Sequence, residues 1–306
     1  MPPRRTNRPA RRGSAEGRAS GAGSWLGVAL IALALFLIGA GVWFYQSQRS
    51  ELVELNPADL CPRDTTKAPP AVYVVLVDQT DPLPALQRRS VTNAVLEQMR
   101  TDLERGDDRS SMRHARVEIW AFGDRQPGAP ADMFELGGVV FSLGRVLSIC
   151  NPGPPERWDH LYKNADVVKR RHHRFYAELE AQLLTSLSFP EAKQSPVLEA
   201  TYGIGVRVFS AQQVRNAQKR LILVSDLMQN TKTLSFFSGP IDYEQWQKRR
   251  EARLTRPDLR DVAVTALMIP GARADLQKAS LANFWTAVFR NAGALNGDHD
   301  QLRRVQ

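Results

Sequence analysis

Two apolar runs in this chain each end on an acid. Residues 72–77 read Val-Tyr-Val-Val-Leu-Val and lead to Asp78, and residues 221–224 read Leu-Ile-Leu-Val and lead to Ser225 and Asp226. Hydroxyls stand beside these acids: Thr80 two residues after Asp78, and Ser195 just before Pro196. Carboxylates and hydroxyls converging on one rim can hold a small hard cation. Mg²⁺ takes oxygen ligands octahedrally at about 2.0–2.1 Å and usually keeps several waters. Such an ion leaves a position open, and an acidic group on a partner can fill it. The same acids could instead accept hydrogen bonds from helix N-termini and hold no metal. Both readings stand at this point.

Bringing Asp78 and Asp226 to one rim demands neighbouring parallel strands. Runs that are apolar on both faces read as central parallel strands covered by helices. In open α/β sheets, ligands bind in the crevice at the carboxyl ends of such strands. The remaining pattern agrees. Helices are expected over about 86–105, 165–188, from 196, 243–254 and 280–293, the last ending at Gly293 as a C-cap. Further strands are expected over about 115–122, 139–149 and 262–270. Strand 115–122 alternates, with Glu118 and Trp120 opposed to Val117, Ile119 and Ala121, so it reads as more exposed than the first. Strands alternating with helices give an α/β fold with a mostly parallel central sheet flanked by helices.

Residues 25–45 carry no charge: WLGVALIALALFLIGAGVWFY. As a helix, 21 residues match a hydrocarbon core of about 30 Å. Trp25 stands at one edge and Trp43, Phe44 and Tyr45 at the other, as in an aromatic belt. The run exceeds a signal-peptide core of roughly 7–15 residues and no small-residue cleavage pattern follows, so an uncleaved anchor is expected. Residues 1–24 hold six arginines against one glutamate and thus supply +5 of the net +9. By the positive-inside rule the N-terminus is cytoplasmic and the rest lies outside the inner membrane, in the periplasm if the cell has one. Most of the positive charge is thus a topology signal, and nucleic acid is not an expected partner. Gly23 and Gly27 have the small-xxx-small spacing of packed membrane helices, which makes a homo-oligomer a candidate state.

The divisions read as a disordered Arg-rich tail at 1–24, a transmembrane helix at 25–45, a polar linker at 46–70, an α/β domain at 71–293 and a C-terminal tail at 294–306. An oxidising compartment permits a bridge between Cys61 and Cys150; two buried free thiols are the alternative. The run Lys169 to Arg174 reads as a solvated helix face, and Phe236, Phe237 and Trp246 as core.

Three loops carry a family resemblance: Asp78-Gln79-Thr80-Asp81-Pro82, Ser195-Pro196-Val197-Leu198-Glu199-Ala200 and Val224-Ser225-Asp226. In order and type they resemble the von Willebrand factor A family. Its metal-ion-dependent adhesion site uses an Asp-x-Ser-x-Ser loop, a Thr on a second loop and an Asp after the fourth strand. The resemblance covers roughly 70–293 and implies a Rossmann-like fold. It also implies a Mg²⁺ site at Asp78, Thr80, Ser195 and Asp226, and a protein partner docked at the strand-end crevice. Pro82 departs from the pattern, because it stands where the family has a ligating serine; Asp81 is the neighbour that could substitute.

The leading reading is therefore a membrane-anchored protein-binding module of adhesion or assembly type, and not an enzyme. A metal-dependent phosphohydrolase with Asp78 as nucleophile is the first alternative. Against it, Thr80 stands where haloacid-dehalogenase-like phosphatases usually carry a second Asp. An inert structural subunit of a membrane complex is the other. No Ser-His-Asp arrangement, Walker loop or dinucleotide glycine motif is present.

Overall fold

Residues apolar on both faces find burial only between two layers, and β1 (Ala71–Asp78) is buried along its whole length. The computed structural model describes residues 22–49, 54–105, 112–123, 133–155, 165–239, 241–271, 274–277, 279–295 and 302–305. The chain divides into two units, Met1–Leu52 and Val53–Gln306.

In the second unit, β1 is joined by β2 (Arg116–Gly123), β3 (Met133–Leu136), β4 (Val139–Cys150), β5 (Gln218–Ser225), β6 (Val262–Met268) and β7 (Leu302–Arg304). They form one sheet in the order β3-β4-β2-β1-β5-β6-β7. β1 pairs in parallel with β2 and β5, as do β5 with β6 and β6 with β7. β4 runs antiparallel to its neighbours, β2 and β3. The fold is α/β with a mostly parallel sheet.

Helices cover both faces. Tyr73, Val75 and Val77 pack with Val91, Val95 and Met99 of α2 (Ala85–Arg100) and with Phe175, Leu179 and Leu183 of α3 (Ala165–Ser186). Val72, Val74 and Leu76 share a core with α4 (Val197–Ile204) and with Phe284, Trp285 and Phe289 of a last helix, Ala279–Asn291. Each fully buried Val or Leu contributes roughly 1.5–3 kcal/mol, so a charge in the middle of β1 would undo both layers. The chain passes from β1 to α2 on one face and reaches β5 from α4 on the other. That reversal opens the crevice at the carboxyl ends of β1 and β5.

Several expectations need correction. Phe237 is not core: it is exposed, while Phe236 and Trp246 are buried. β2 is not exposed: it lies between β1 and β4, and Glu118 is 2% accessible. Its charge is tolerated because Trp120 Nε1 donates to it at 2.8 Å and Arg116 and Arg145 pair with it at 3.1 and 3.3 Å. The stretch 46–70 is not all linker, since the second unit begins at Val53. Leu60 is buried in the core, Cys61 is bonded to Cys150, and the Cys150 amide donates to the Asp59 carbonyl at 2.9 Å. Arg174 donates to the carbonyls of Pro57 and Ala58, so this end of the basic run is a latch. The stretch 294–306 is not simply a tail: β7 extends the sheet, and Arg303 donates to Gln98 at 2.7 Å. The helix expected over 243–254 is two short ones, α5 (Tyr243–Trp246), capped by Asp242, and α6 (Arg250–Leu254). Ala279–Asn291 is therefore α7, closed by Gly293 at φ +86°.

In the first unit, α1 spans Ala22–Arg49. Among the described residues no helix is long and apolar enough to cross a membrane. Within α1 the described side chains are those of residues 27–43, so Trp25, Phe44 and Tyr45 fall outside that statement. Residues 1–21 of the Arg-rich tail also lie outside the described residues.

Candidate functional site

Asp78 is the last residue of β1, and the preceding pair, Val77 and Val224, is in register across the β1–β5 ladder. Neighbouring strands stand about 4.8 Å apart, so the residues ending these two strands must meet. Asp78 Oδ1 accepts from the Thr80 amide at 3.1 Å and from Thr80 Oγ1 at 2.6 Å. This local turn folds the Asp78-Gln79-Thr80 loop back on itself. Asp78 Oδ2 accepts from Ser195 Oγ at 3.2 Å and from Ser225 Oγ at 2.7 Å. Asp226 Oδ1 accepts from the Met228 amide at 2.9 Å, and Asp81 hydrogen-bonds the Asp226 carboxyl. The structure thus brings Asp78, Thr80, Ser195 and Asp226 together from three loops, with Asp81 against them. All but Asp81 are buried.

Among the described residues neither carboxylate caps a helix. The position before α2 is Pro84, which lacks a side-chain cap bond. The first turn of α4 is served by Gln229, whose Oε1 accepts from the Leu198 amide at 2.9 Å. The acids are turned instead toward each other and toward hydroxyls.

That arrangement is electrostatically expensive. Burial pushes Asp78 up to about 6, against the bonds from Thr80 and Ser225 that favour its charged form. Burial also raises Asp226 well above the usual carboxylate range, and the charge on Asp78 adds to the rise. Two buried acids that repel each other ask for a proton or a cation.

The surrounding residues fix the rim. Leu227 takes a left-handed conformation at φ +62°, unusual for a branched side chain. It is held there by Trp285 Nε1, which donates to its carbonyl at 2.9 Å, and by its own amide, which donates to Ser225 Oγ at 2.8 Å. Gln277 Nε2 donates to the carbonyls of Asp226 at 2.9 Å and Ile269 at 2.8 Å. Gly271 presses on the site: a Cβ there would lie 2.4 Å from Asp226 Oδ2. Behind Ser195, the buried Glu199 accepts from Gln229 at 2.8 Å and from Thr233 at 3.0 Å. This network ties the start of α4 to the loop after β5.

The donor set suits Mg²⁺ in type. It is all oxygen, with two carboxylates and two hydroxyls, and Asp81 hydrogen-bonds Asp226 beside them. Among the described residues no group of three or more His, Cys, Asp or Glu side chains has the geometry to hold a metal ion. An ion here would therefore lean on hydroxyls and water, which favours weak, exchangeable binding.

Ser225 is a site residue that the strand pattern concealed, because it reads as the last residue of a buried strand. Its one signal is the step from apolar to hydroxyl immediately before Asp226. Glu199, Gln229 and Gly271 had no signal beyond position.

No family model matches the chain, and no curated protein matches it. Among solved structures it is similar to the pilus adhesin SpaC from Lactobacillus rhamnosus GG, at 12% identity and a TM-score of 0.38, over 78% of this chain and 28% of that one. It is also similar to proximal thread matrix protein 1 of the mussel byssus, at 13% identity and a TM-score of 0.28, over 66% of this chain and 39% of that one. The chain spans less than half the length of either.

Proposed function

We propose that the unit beginning at Val53 is a von Willebrand factor A-like protein-binding module, in which Mg²⁺ at Asp78 and Asp226 bridges to an acidic group of a partner protein. The observation that supports this best is the convergence of Thr80, Ser195 and Ser225 on one Asp78 carboxylate beside a second buried acid. Oxygen donors from three loops, with an uncompensated negative charge, suit a cation better than they suit a fold contact.

Two exposed apolar side chains follow the strand ends in the chain. Leu86, in the first turn of α2, is 83% accessible; Phe237, in the loop after β5, is 47%. The uncharged run 25–45 is the membrane anchor, and the Cys61–Cys150 bridge suits an oxidising, extracytoplasmic side. Against the phosphohydrolase alternative, Thr80 stands where haloacid-dehalogenase-like phosphatases usually carry a second Asp.

Titration calorimetry of the detergent-solubilised full chain with Mg²⁺ or Mn²⁺ tests the reading. Heat that disappears in Asp78→Ala and Asp226→Ala supports it. Absence of heat in the wild type makes the site an inert part of a scaffold, and metal-dependent phosphatase turnover would promote the enzyme.

A further inference from the structure

A second crevice lies at the opposite end of the sheet from the candidate site. Lys219 stands near the start of β5, six residues before Ser225, so roughly 20 Å of strand separates it from the strand-end acids. A cavity of about 500 Å³ opens there, lined by Gly205 and Phe209, by Arg215 and Lys219, and by Arg260 and Asp261.

Its walls are held by defined bonds. Gly205–Phe209 is a π-helical turn that continues α4, and the Ser210 amide donates to the Gly205 carbonyl at 3.0 Å. Such turns are rare and frequently mark functional sites. A Cβ on Gly205 would lie 2.9 Å from the Asp258 carbonyl oxygen, so the turn rests directly on the loop before β6. That loop is fastened in turn. The Leu259 amide donates to the Ala292 carbonyl at 2.9 Å, and the Val262 amide to the Leu259 carbonyl at 3.0 Å.

Charge selects the ligand. Arg260 holds Asp258, also in the wall, through Nε at 2.9 Å and Nη2 at 2.7 Å. Lys219 and Asp261 act on that pair only through space. Among the described residues Arg215, Lys219 and Asp261 make no ion pair. The cavity therefore offers two unneutralised cations and one unneutralised acid. A phosphate group carries about −1.5 to −2 at pH 7 and matches two cations, whereas a carboxylate carries a single charge. An ionised aspartate only accepts hydrogen bonds, so the body of the ligand must donate to Asp261. Hydroxyls do this, and Ser210 and Gln212 in the same wall can bond them as well. The volume falls within the usual range for small-molecule sites.

We infer that this cavity binds the phosphate ester of a polyhydroxylated molecule. The phosphate lies between Arg215 and Lys219, and a hydroxyl donates to Asp261. The site shares no residue with the strand-end acids and does not rest on the Mg²⁺ reading.

The test is calorimetry on the full chain in uncharged detergent with EDTA, using glycerol 3-phosphate, inorganic phosphate and glycerol as probes. Glycerol 3-phosphate should bind about tenfold more tightly than inorganic phosphate, as one added bond to a charged acceptor gives, and glycerol alone should give no heat. Binding should weaken in about 0.5 M salt. Arg215→Gln with Lys219→Gln should lower the ester's affinity at least about tenfold, with the far-ultraviolet dichroism unchanged. Asp261→Asn suits the left-handed conformation at this position, φ +62°, and so keeps the turn. It should shrink the ester's advantage over inorganic phosphate at least about threefold. Ester heat retained in phosphatidylcholine bilayers but lost in phosphatidylglycerol bilayers assigns the group to a lipid headgroup; heat retained in both assigns it to a soluble ester. Absence of heat with glycerol 3-phosphate in detergent overturns the inference. So does equal binding of ester and inorganic phosphate, or an affinity unchanged in the double variant.

Discussion

Asp78→Asn should stabilise the metal-free protein, a result opposite to that expected for most changes at a buried, fully bonded position. Burial raises the Asp78 carboxyl from 3.8 to about 6. The folded state therefore binds the proton more tightly than the unfolded state does. The associated stability is present in full below about 3.8 and is lost as pH rises through about 6. At pH 7 the ionised carboxylate costs roughly 3 kcal/mol, two units at about 1.36 kcal/mol each. Asparagine removes that cost and keeps the shape. Its carbonyl can take over the Oδ1 bonds from the Thr80 amide and hydroxyl. Its amide nitrogen can donate where Oδ2 accepted, provided the hydroxyls of Ser195 and Ser225 turn round, as hydroxyl rotors do.

Urea denaturation of the full chain in EDTA provides the assay. At pH 7 the Asn variant should be more stable by up to about 3 kcal/mol, and its curve should change less than the wild type's between about pH 4 and 7. Mg²⁺ at a hundred times its dissociation constant should return about 2.7 kcal/mol to the wild type and nothing to the variant, which closes the gap. A variant less stable than the wild type in EDTA, together with a wild type indifferent to pH and Mg²⁺, would refute the reasoning. The carboxylate would then be a structural acceptor fully compensated by its four bonds.

Gly271→Ala keeps every proposed ligand yet places a Cβ 2.4 Å from Asp226 Oδ2, so Mg²⁺ affinity by calorimetry should fall at least about tenfold with the far-ultraviolet dichroism unchanged. Glu199→Ala strands Gln229 and Thr233 and should cost about 3 kcal/mol by urea midpoint. Glu199→Gln should cost less as pH rises, because burial raises this carboxyl and its contribution is lost above the usual range. Replacing Cys61 and Cys150 by serine opens a loop of 89 residues and should cost about 4.6 kcal/mol on the chain-entropy estimate, visible as a lower melting temperature that reductant also produces in the wild type.

The parts of this fold legible in the sequence are those set by one-dimensional patterns. β1 and β5 announced themselves because a central parallel strand must be apolar on both sides. Their terminal acids then had to lie near each other if the strands were neighbours. β2 misled because alternation reports the polarity of a side chain, not whether a partner neutralises it. Glu118 is polar and buried at once, since two arginines and Trp120 reach it from residues 116 to 145. The docking of 54–63 was hidden for a related reason. A polar segment can be held by one covalent bridge and by arginine bonds to its carbonyls, as Cys61 and Arg174 hold this one, and neither leaves a hydrophobic signature.

The crevice itself was legible as types and not as geometry. Nothing in the letters Ser225-Asp226-Leu227 says that the leucine turns left-handed, yet that turn sends the Leu227 carbonyl to Trp285 directly after the Asp226 that lies beside Asp78. Trp285 lies 58 residues away, on the last helix of the domain. The pair works as one device: a strained backbone conformation costs of order 1–3 kcal/mol and persists only where tertiary bonds over-determine it. If the rim were merely the end of a strand, that strain would serve no purpose. If Asp226 must face Asp78 across a cation, the strain is what holds two repelling carboxylates at one rim before any ion arrives. Trp285→Phe keeps the packing and deletes the bond, so it should weaken Mg²⁺ binding in calorimetry more than it lowers the urea midpoint. Equal losses in both would make Leu227 an incident of the fold and leave the rim without its supporting device.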